Sequence, residues 1–176
     1  MPVLRACGNR VMEGIALATL STLALWDGRA TQALALAKTA LGMATVAQAR
    51  DRQASAGNRL GDAQRALGRR AAARRSYTQA RRLALEIDDA VQHDASAGLA
   101  RLAVAEGDVA AAMAAVQPLL DAAARGHRLE GTSEPRLIEL ACHQALACAG
   151  DPRATDWLAR AHTALMTQAD AISDTT

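Results

Sequence analysis

"LGDAQRALGRRAAARRSYTQA" (Leu60–Ala80) is the stretch that decides the fold. An apolar helical segment ends at Gly68, and a second helical segment follows it directly. Glycine ends helices readily because it adopts the left-handed backbone conformation at little cost. In the second segment, Ala73, Tyr77 and Ala80 are spaced by four and three residues, so they share one helical face. The stretch therefore predicts two antiparallel helices that pack through small residues.

The same arrangement recurs along the chain at a period near forty residues. Turn glycines stand at Gly28, Gly68, Gly107 and Gly150, with spacings of 40, 39 and 43 residues. Asp108 and the pair Asp151–Pro152 suit the start of a second helix, by capping or by a preset φ. A repeat of this length indicates a solenoid. We predict one all-α domain over residues 1–176, with helices near 9–26, 30–46, 49–67, 70–86, 89–105, 109–125, 134–149 and 152–171. They form hairpin repeats near 9–48, 49–87, 88–127 and 133–172.

Alignment on the turn glycines predicts which residues pack between helices in each hairpin. The second hairpin contributes Leu60, Gly61, Ala73, Tyr77 and Ala80. The equivalent positions are Leu20, Ser21, Ala33, Ala37 and Ala40 in the first hairpin, Leu99, Ala100, Ala112, Val116 and Leu119 in the third, and Cys142, His143, Thr155, Ala159 and His162 in the fourth.

These five positions of the second hairpin resemble the tetratricopeptide repeat, although the period here exceeds the 34 residues of that repeat. The longer hairpins, above all Leu129–Leu165, are similar to the C-terminal repeat regions of large bacterial signalling proteins. Those proteins include relatives of the maltose-operon activator and nucleotide cyclases with an ATPase module. The sequence contains no GxxxxGK[ST] motif, so their enzymatic activities are not carried over. The resemblance implies a right-handed superhelix that binds a partner in its concave groove.

The repeat register also predicts the residues that line this groove. Positions two before and two after the leucine–small pair point inward, which selects Ala18 and Thr22 in the first helix. The predicted partner-binding set further along the chain is Asn58, Asp62, Arg65, Asp94, Arg101 and Gln144. Asn58 and Arg101 partly match the members of the resembled family that clamp a C-terminal carboxylate, whereas Asp62 opposes that ligand.

Four arginines form a basic stripe on the second helix of the second hairpin. Arg74, Arg75, Arg81 and Arg82 lie opposite its apolar face, since steps of seven residues bring 74 beside 81 and 75 beside 82. We interpret the stripe as a solvated outer surface. The alternatives are contact with an acidic partner and binding of nucleic-acid phosphates. Nucleic-acid binding is disfavoured because Tyr77 is the sole aromatic residue nearby and its spacing assigns it to packing.

Composition and charge agree with a helical interaction protein. Alanine and leucine dominate the 51% hydrophobic content, and the chain has no phenylalanine. The net charge is +2, but residues 50–82 carry ten arginines against two acids and residues 83–176 carry six arginines against fourteen acids. This polarity favours head-to-tail association or an extended charged partner. A homo-oligomer through the solenoid ends is a further expectation, with Ile15, Leu17 and Leu20 at one end and Trp157, Leu158 and Leu165 at the other.

No group of residues indicates catalysis, a metal or a cofactor. Cys142, His143 and Cys148 share one helix, but the two cysteines face apart and a fourth ligand is missing. The sequence has neither a membrane-spanning run nor a signal-peptide pattern, so we expect a cytoplasmic protein. We predict a non-enzymatic scaffold or adaptor that binds a peptide or protein segment. The alternatives are a detached regulatory or oligomerisation segment of a signalling ATPase or cyclase-like regulator, and a nucleic-acid binder.

Overall fold

A computed structural model describes residues 10–126 and 131–173. It contains eight α-helices, and no strand occurs in the described part of the chain. The predicted helix ends agree with the observed ones within two residues. The helices are α1 Arg10–Trp26, α2 Ala30–Val46, α3 Arg50–Ala66, α4 Arg70–Glu86, α5 Val91–Glu106, α6 Val109–Ala124, α7 Pro135–Cys148 and α8 Ala154–Ser173.

The helices stack in two layers. Each odd-numbered helix contacts the next odd-numbered one, so that α1 meets α3, α3 meets α5 and α5 meets α7. Within the described residues, the even-numbered helices contact only odd-numbered neighbours and never one another. The odd-numbered helices therefore form the closely spaced inner layer, and the even-numbered helices form the outer layer of a curved stack. This arrangement confirms the predicted all-α helical-repeat solenoid.

Residues in the left-handed conformation occur at the turn within each hairpin and at the connections between hairpins. All four predicted turn glycines have positive φ, between 67° and 74°. A second series, which the sequence did not reveal, lies between the hairpins at Gln48, Asp88 and Gly126. Gln48 and Asp88 accept φ values of 53° and 50° without being glycine, at a conformational cost of about 1 kcal/mol each.

Tyr77 is the largest fully buried side chain, with 1% of its surface exposed. Its ring lies between two helix glycines, Gly61 on α3 and Gly98 on α5. A Cβ atom on Gly61 would lie 2.6 Å from Cε1 of Tyr77, and one on Gly98 would lie closer still. The Tyr77 hydroxyl donates a hydrogen bond of 2.8 Å to Asp62. Burial, with the Asp62 carboxylate adding to it, raises the pKa of Tyr77 well above 10.

Small residues pack between the layers at the predicted positions of the first three hairpins. The predicted second-helix positions are buried in each of the three. In the first hairpin, Ser21 takes the place of Gly61 and donates a hydrogen bond of 2.9 Å from its Oγ to the carbonyl of Ala33. The buried sets are Ala33, Ala37 and Ala40, then Ala73, Tyr77 and Ala80, then Ala112, Val116 and Leu119.

The prediction for the second helix of the fourth hairpin is wrong. Thr155, Ala159 and His162 are exposed, whereas Ala154 and Trp157 are buried. The cause is the turn after Gly150. Helix α8 begins four residues after that glycine, but α2, α4 and α6 begin two residues after theirs. Because each residue turns a helix by about 100°, this longer turn presents a different face of α8 to α7.

The ends of the solenoid are partly apolar, as expected, but two assignments need correction. Leu17 and Trp157 are buried, at 6% and 7% exposure, because Leu17 packs in a cluster with Ala40 and Ala56 and Trp157 belongs to the core cluster of the third and fourth hairpins. Arg160 lies over the Trp157 ring, with its guanidinium carbon 4.8 Å from the ring centroid. Leu158 and Leu165 remain exposed on α8.

Candidate functional site

A cavity of about 320 Å³ opens on the inner side of the solenoid. Helices α1 and α3 form two of its walls and the end of α2 forms its floor. Ser133 and Glu134, just before α7, close it from the fourth hairpin. A cavity that residues from the first, second and fourth hairpins all reach must lie within the concave curve. We call it the N-terminal cavity.

Apolar side chains line most of the N-terminal cavity. Ala18 and Thr22, which the repeat register places in the groove, both lie in its wall. Arginines stand at its edge on two helices. The apolar part is made by Val11, Ile15, Leu23, Trp26 and Met43, and the arginines are Arg10, Arg52 and Arg59. An apolar cavity with a few polar groups at its edge is the usual form of a ligand site.

Arg59 connects the cavity to a network of charges. Its Nη1 lies 3.6 Å from Asp62 on the same helix and 3.4 Å from Glu134, which is 75 residues away. Only 11% of the Arg59 side chain is exposed. Burial raises the pKa of Glu134, and the Arg59 charge opposes that rise. The pair thus ties the second hairpin to the fourth across the concave face.

Asp94 on α5 fixes the segment that precedes α7. Its carboxylate accepts hydrogen bonds from the backbone amides of Ser133, at 3.1 and 3.2 Å, and of Glu134, at 3.1 Å. Burial raises the pKa of Asp94 even though these amides act against the rise. This carboxylate holds Glu134 in position beside Arg59, so it supports the groove.

Arg65 on α3 and Arg101 on α5 lie near each other on the inner layer. Burial, followed by the neighbouring charge of Arg65, lowers the pKa of Arg101. The Nε of Arg65 is buried and has no hydrogen-bond partner. Neither guanidinium donates a hydrogen bond or forms an ion pair within the described residues.

The structure thus gives the six predicted groove residues different roles. Asp62, Arg65 and Arg101 come together with Arg59, and Asp94 lies beside them. Asn58 is buried at 2% exposure and donates from its Nδ2 to the carbonyl of Val91, so it joins α3 to α5 and does not line the groove. Gln144 is half-buried on α7, in the fourth hairpin.

The basic stripe lies on α4 of the outer layer, opposite the buried face of that helix. Arg74 pairs with Glu106 on α5, and Arg82 pairs with Glu86 one turn further along α4. Arg75 is exposed, and Arg81 is half-buried. The stripe is therefore partly neutralised by acids of the same chain, and it lies on the face opposite the N-terminal cavity.

Sequence reasoning missed Arg59, Glu134 and the edge residues Arg10 and Arg52. Arg59 has a weak local signal, because Asp62 follows at the i+3 spacing that pairs opposite charges on a helix. Nothing in the sequence links Glu134 to Arg59, since their contact depends on the curvature of the entire solenoid.

Other kinds of site receive no support from the described residues. Residues 10–126 and 131–173 hold no cluster of three histidine, cysteine, aspartate or glutamate side chains that could bind a metal ion. Cys142 is buried, which raises its pKa to about 12, whereas Cys148 is exposed. Of the helices in these ranges, none is long and apolar enough to span a bilayer. No protein-family model and no curated protein matches the sequence.

Proposed function

We propose that the protein is a non-enzymatic interaction module that binds a polypeptide segment in its concave groove, in the manner of tetratricopeptide-like repeats. The observation that supports this proposal is the N-terminal cavity on the inner layer, with its apolar walls and arginine edge. Trp26 is 69% exposed beside it, an unusual position for a large aromatic side chain without a partner.

A polypeptide suits this site better than a small molecule alone does. The cavity accommodates one or two large apolar side chains, and Arg65 on α3 and Arg101 on α5 form a second polar region of the inner layer. An extended or helical segment lying along the inner layer would fill both regions. The basic stripe gives less support to nucleic-acid binding, because two of its four arginines already pair with acids.

A displayed library of random peptides of about 12 residues, long enough to span about 40 Å, tests the proposal. We expect the wild-type protein to enrich peptides that share a large apolar residue. The Ser55→Trp variant places an indole into the cavity from α3 and should bind those peptides at least about tenfold more weakly, because the apolar residue loses its place. Circular dichroism verifies that each variant is folded.

Thr78→Trp is the matched control, because it adds the same side chain to an exposed position on α4. It should bind like the wild type. Ala18→Leu, which narrows the cavity from the opposite wall, provides a second blocked variant. Equal binding by wild type and both blocked variants, or no enrichment by the wild type, would refute groove binding.

A further inference from the structure

Arg65 and Arg101 are half-buried cations of the inner layer whose guanidinium groups have no acceptor among residues 10–126 and 131–173. The Nε of Arg65 is fully enclosed without a hydrogen bond. A buried donor that has lost its water and gained no acceptor costs free energy, and the cost rises when the donor is charged. A ligand anion does not reach the enclosed Nε, but it would offset the uncompensated charge of the two half-buried guanidiniums.

The acids nearby are already engaged with other groups. Asp62 accepts a hydrogen bond from the Tyr77 hydroxyl and forms an ion pair with Arg59. Glu134 pairs with Arg59 as well. Asp94 accepts hydrogen bonds from the backbone amides of the two residues that precede α7. These bonds leave no carboxylate of the cluster hydrogen-bonded to either free guanidinium.

The two arginines lie further along the inner layer than the N-terminal cavity, and Arg65 is rotated by about 120° around α3 from Arg59. Arg59 forms part of the cavity wall, and Arg65 follows it by six residues on α3, which is about 9 Å along the helix axis. Three residues of extended chain span about 10 Å. A segment with an apolar side chain in the cavity therefore brings a side chain three or four residues away to Arg65 and Arg101.

We propose that the bound segment carries an internal aspartate or glutamate whose carboxylate lies between the guanidiniums of Arg65 and Arg101. This inference rests on the proposed function, since it specifies the ligand of the same groove. A carboxylate has two oxygens with four acceptor positions, and guanidiniums match its plane in paired hydrogen bonds. The apolar residue, the acid and the number of residues between them together define the peptide pattern that the groove recognises.

The same peptide library tests the proposal with the Arg65→Gln/Arg101→Gln variant. We expect wild-type protein to enrich an acid three or four residues from the apolar residue, and the variant to keep the apolar residue but lose the acid. Arg75→Gln/Arg81→Gln on α4 makes the same change in charge on the outer layer and should enrich the wild-type pattern. Arg65→Gln alone serves if the double variant fails to fold.

An enriched peptide is then synthesised with its acid changed to the amide, and separately with an amidated C-terminus. The acid-to-amide change should weaken binding to the wild type about tenfold or more and leave binding to Arg65→Gln/Arg101→Gln unchanged. Amidation of the peptide C-terminus should have no effect on binding. Enrichment that depends on the cavity but lacks an acid, or that depends on the C-terminal carboxylate, would overturn this inference and leave the groove proposal standing. Enrichment that is unaffected by blocking the cavity would refute the groove proposal itself.

Discussion

Replacing Gly98 with alanine is expected to lower the free energy of unfolding by about 2–3 kcal/mol, the cost of overpacking a closed core. The new Cβ would overlap the ring of Tyr77, which Gly61 confines from its opposite side. The backbones of α3 and α5 cannot easily move apart to make room, because the hydrogen bond from Asn58 to the Val91 carbonyl also joins these two helices. Urea denaturation followed by circular dichroism measures the loss.

Gly42→Ala is the control for this experiment. Gly42 is an exposed position inside α2 where an added Cβ meets nothing within 4 Å, so alanine should raise the stability by about 1 kcal/mol through helix propensity alone. In a Tyr77→Val background, Gly98→Ala should lose most of its cost, because valine occupies the equivalent place in the third hairpin at Val116. An equal cost with tyrosine and with valine would show that the ring does not fill this space.

Replacing Arg59 with methionine is expected to destabilise the fold by about 3 kcal/mol at neutral pH. Methionine keeps the length and apolar stem of the side chain but leaves Glu134 and Asp62 without their shared cation. Arg82→Met removes an exposed pair with Glu86 and should cost less than about 1 kcal/mol. Thermal and urea unfolding of the three proteins compare these values.

The pH dependence of the Arg59→Met effect has a definite sign. Burial already raises the pKa of Glu134, and removing Arg59 removes the charge that opposes the rise. A carboxyl whose pKa is higher in the folded than in the unfolded state binds more protons when folded. The destabilisation that its ionised form causes at neutral pH is therefore lost progressively as pH falls. The deficit of the variant should therefore shrink between neutral pH and about pH 5. Adding Glu134→Gln should recover part of the stability at neutral pH, and a deficit that stays constant with pH and with Glu134→Gln would contradict the role of the pair.

The fold could be predicted from local features of the sequence. Gly28, Gly68 and Gly107 each end a helix by their own backbone freedom, and the four- and three-residue spacing from Ala73 to Ala80 defines a buried face over two turns. The same reasoning failed in α8, where the Asp151–Pro152 turn delays the helix by two residues and rotates its buried face to Ala154 and Trp157. Buried positions can be carried over by alignment from one repeat to the next only where the turns between the helices have equal length.

The site was less accessible to sequence reasoning. The register identified Ala18 and Thr22 in the cavity, and it selected Asp62, Arg65 and Arg101 on the inner layer. It could not separate Asn58, whose side chain is used to join two helices, from a side chain open to a ligand. The Arg59–Glu134 pair was missed because curvature accumulated over three hairpins, and no local pattern, brings these residues together.

The measurement that tests the central claim most directly is backbone hydrogen exchange, by mass spectrometry, of the intact protein with and without an enriched peptide. Binding in the concave groove predicts slower exchange in α1 and α3 and in the segment from Gly131 to Glu134, with α4 and α6 unchanged. Slower exchange confined to the outer-layer helix α4, along Arg74, Arg75, Arg81 and Arg82, would contradict the groove and assign recognition to the basic stripe.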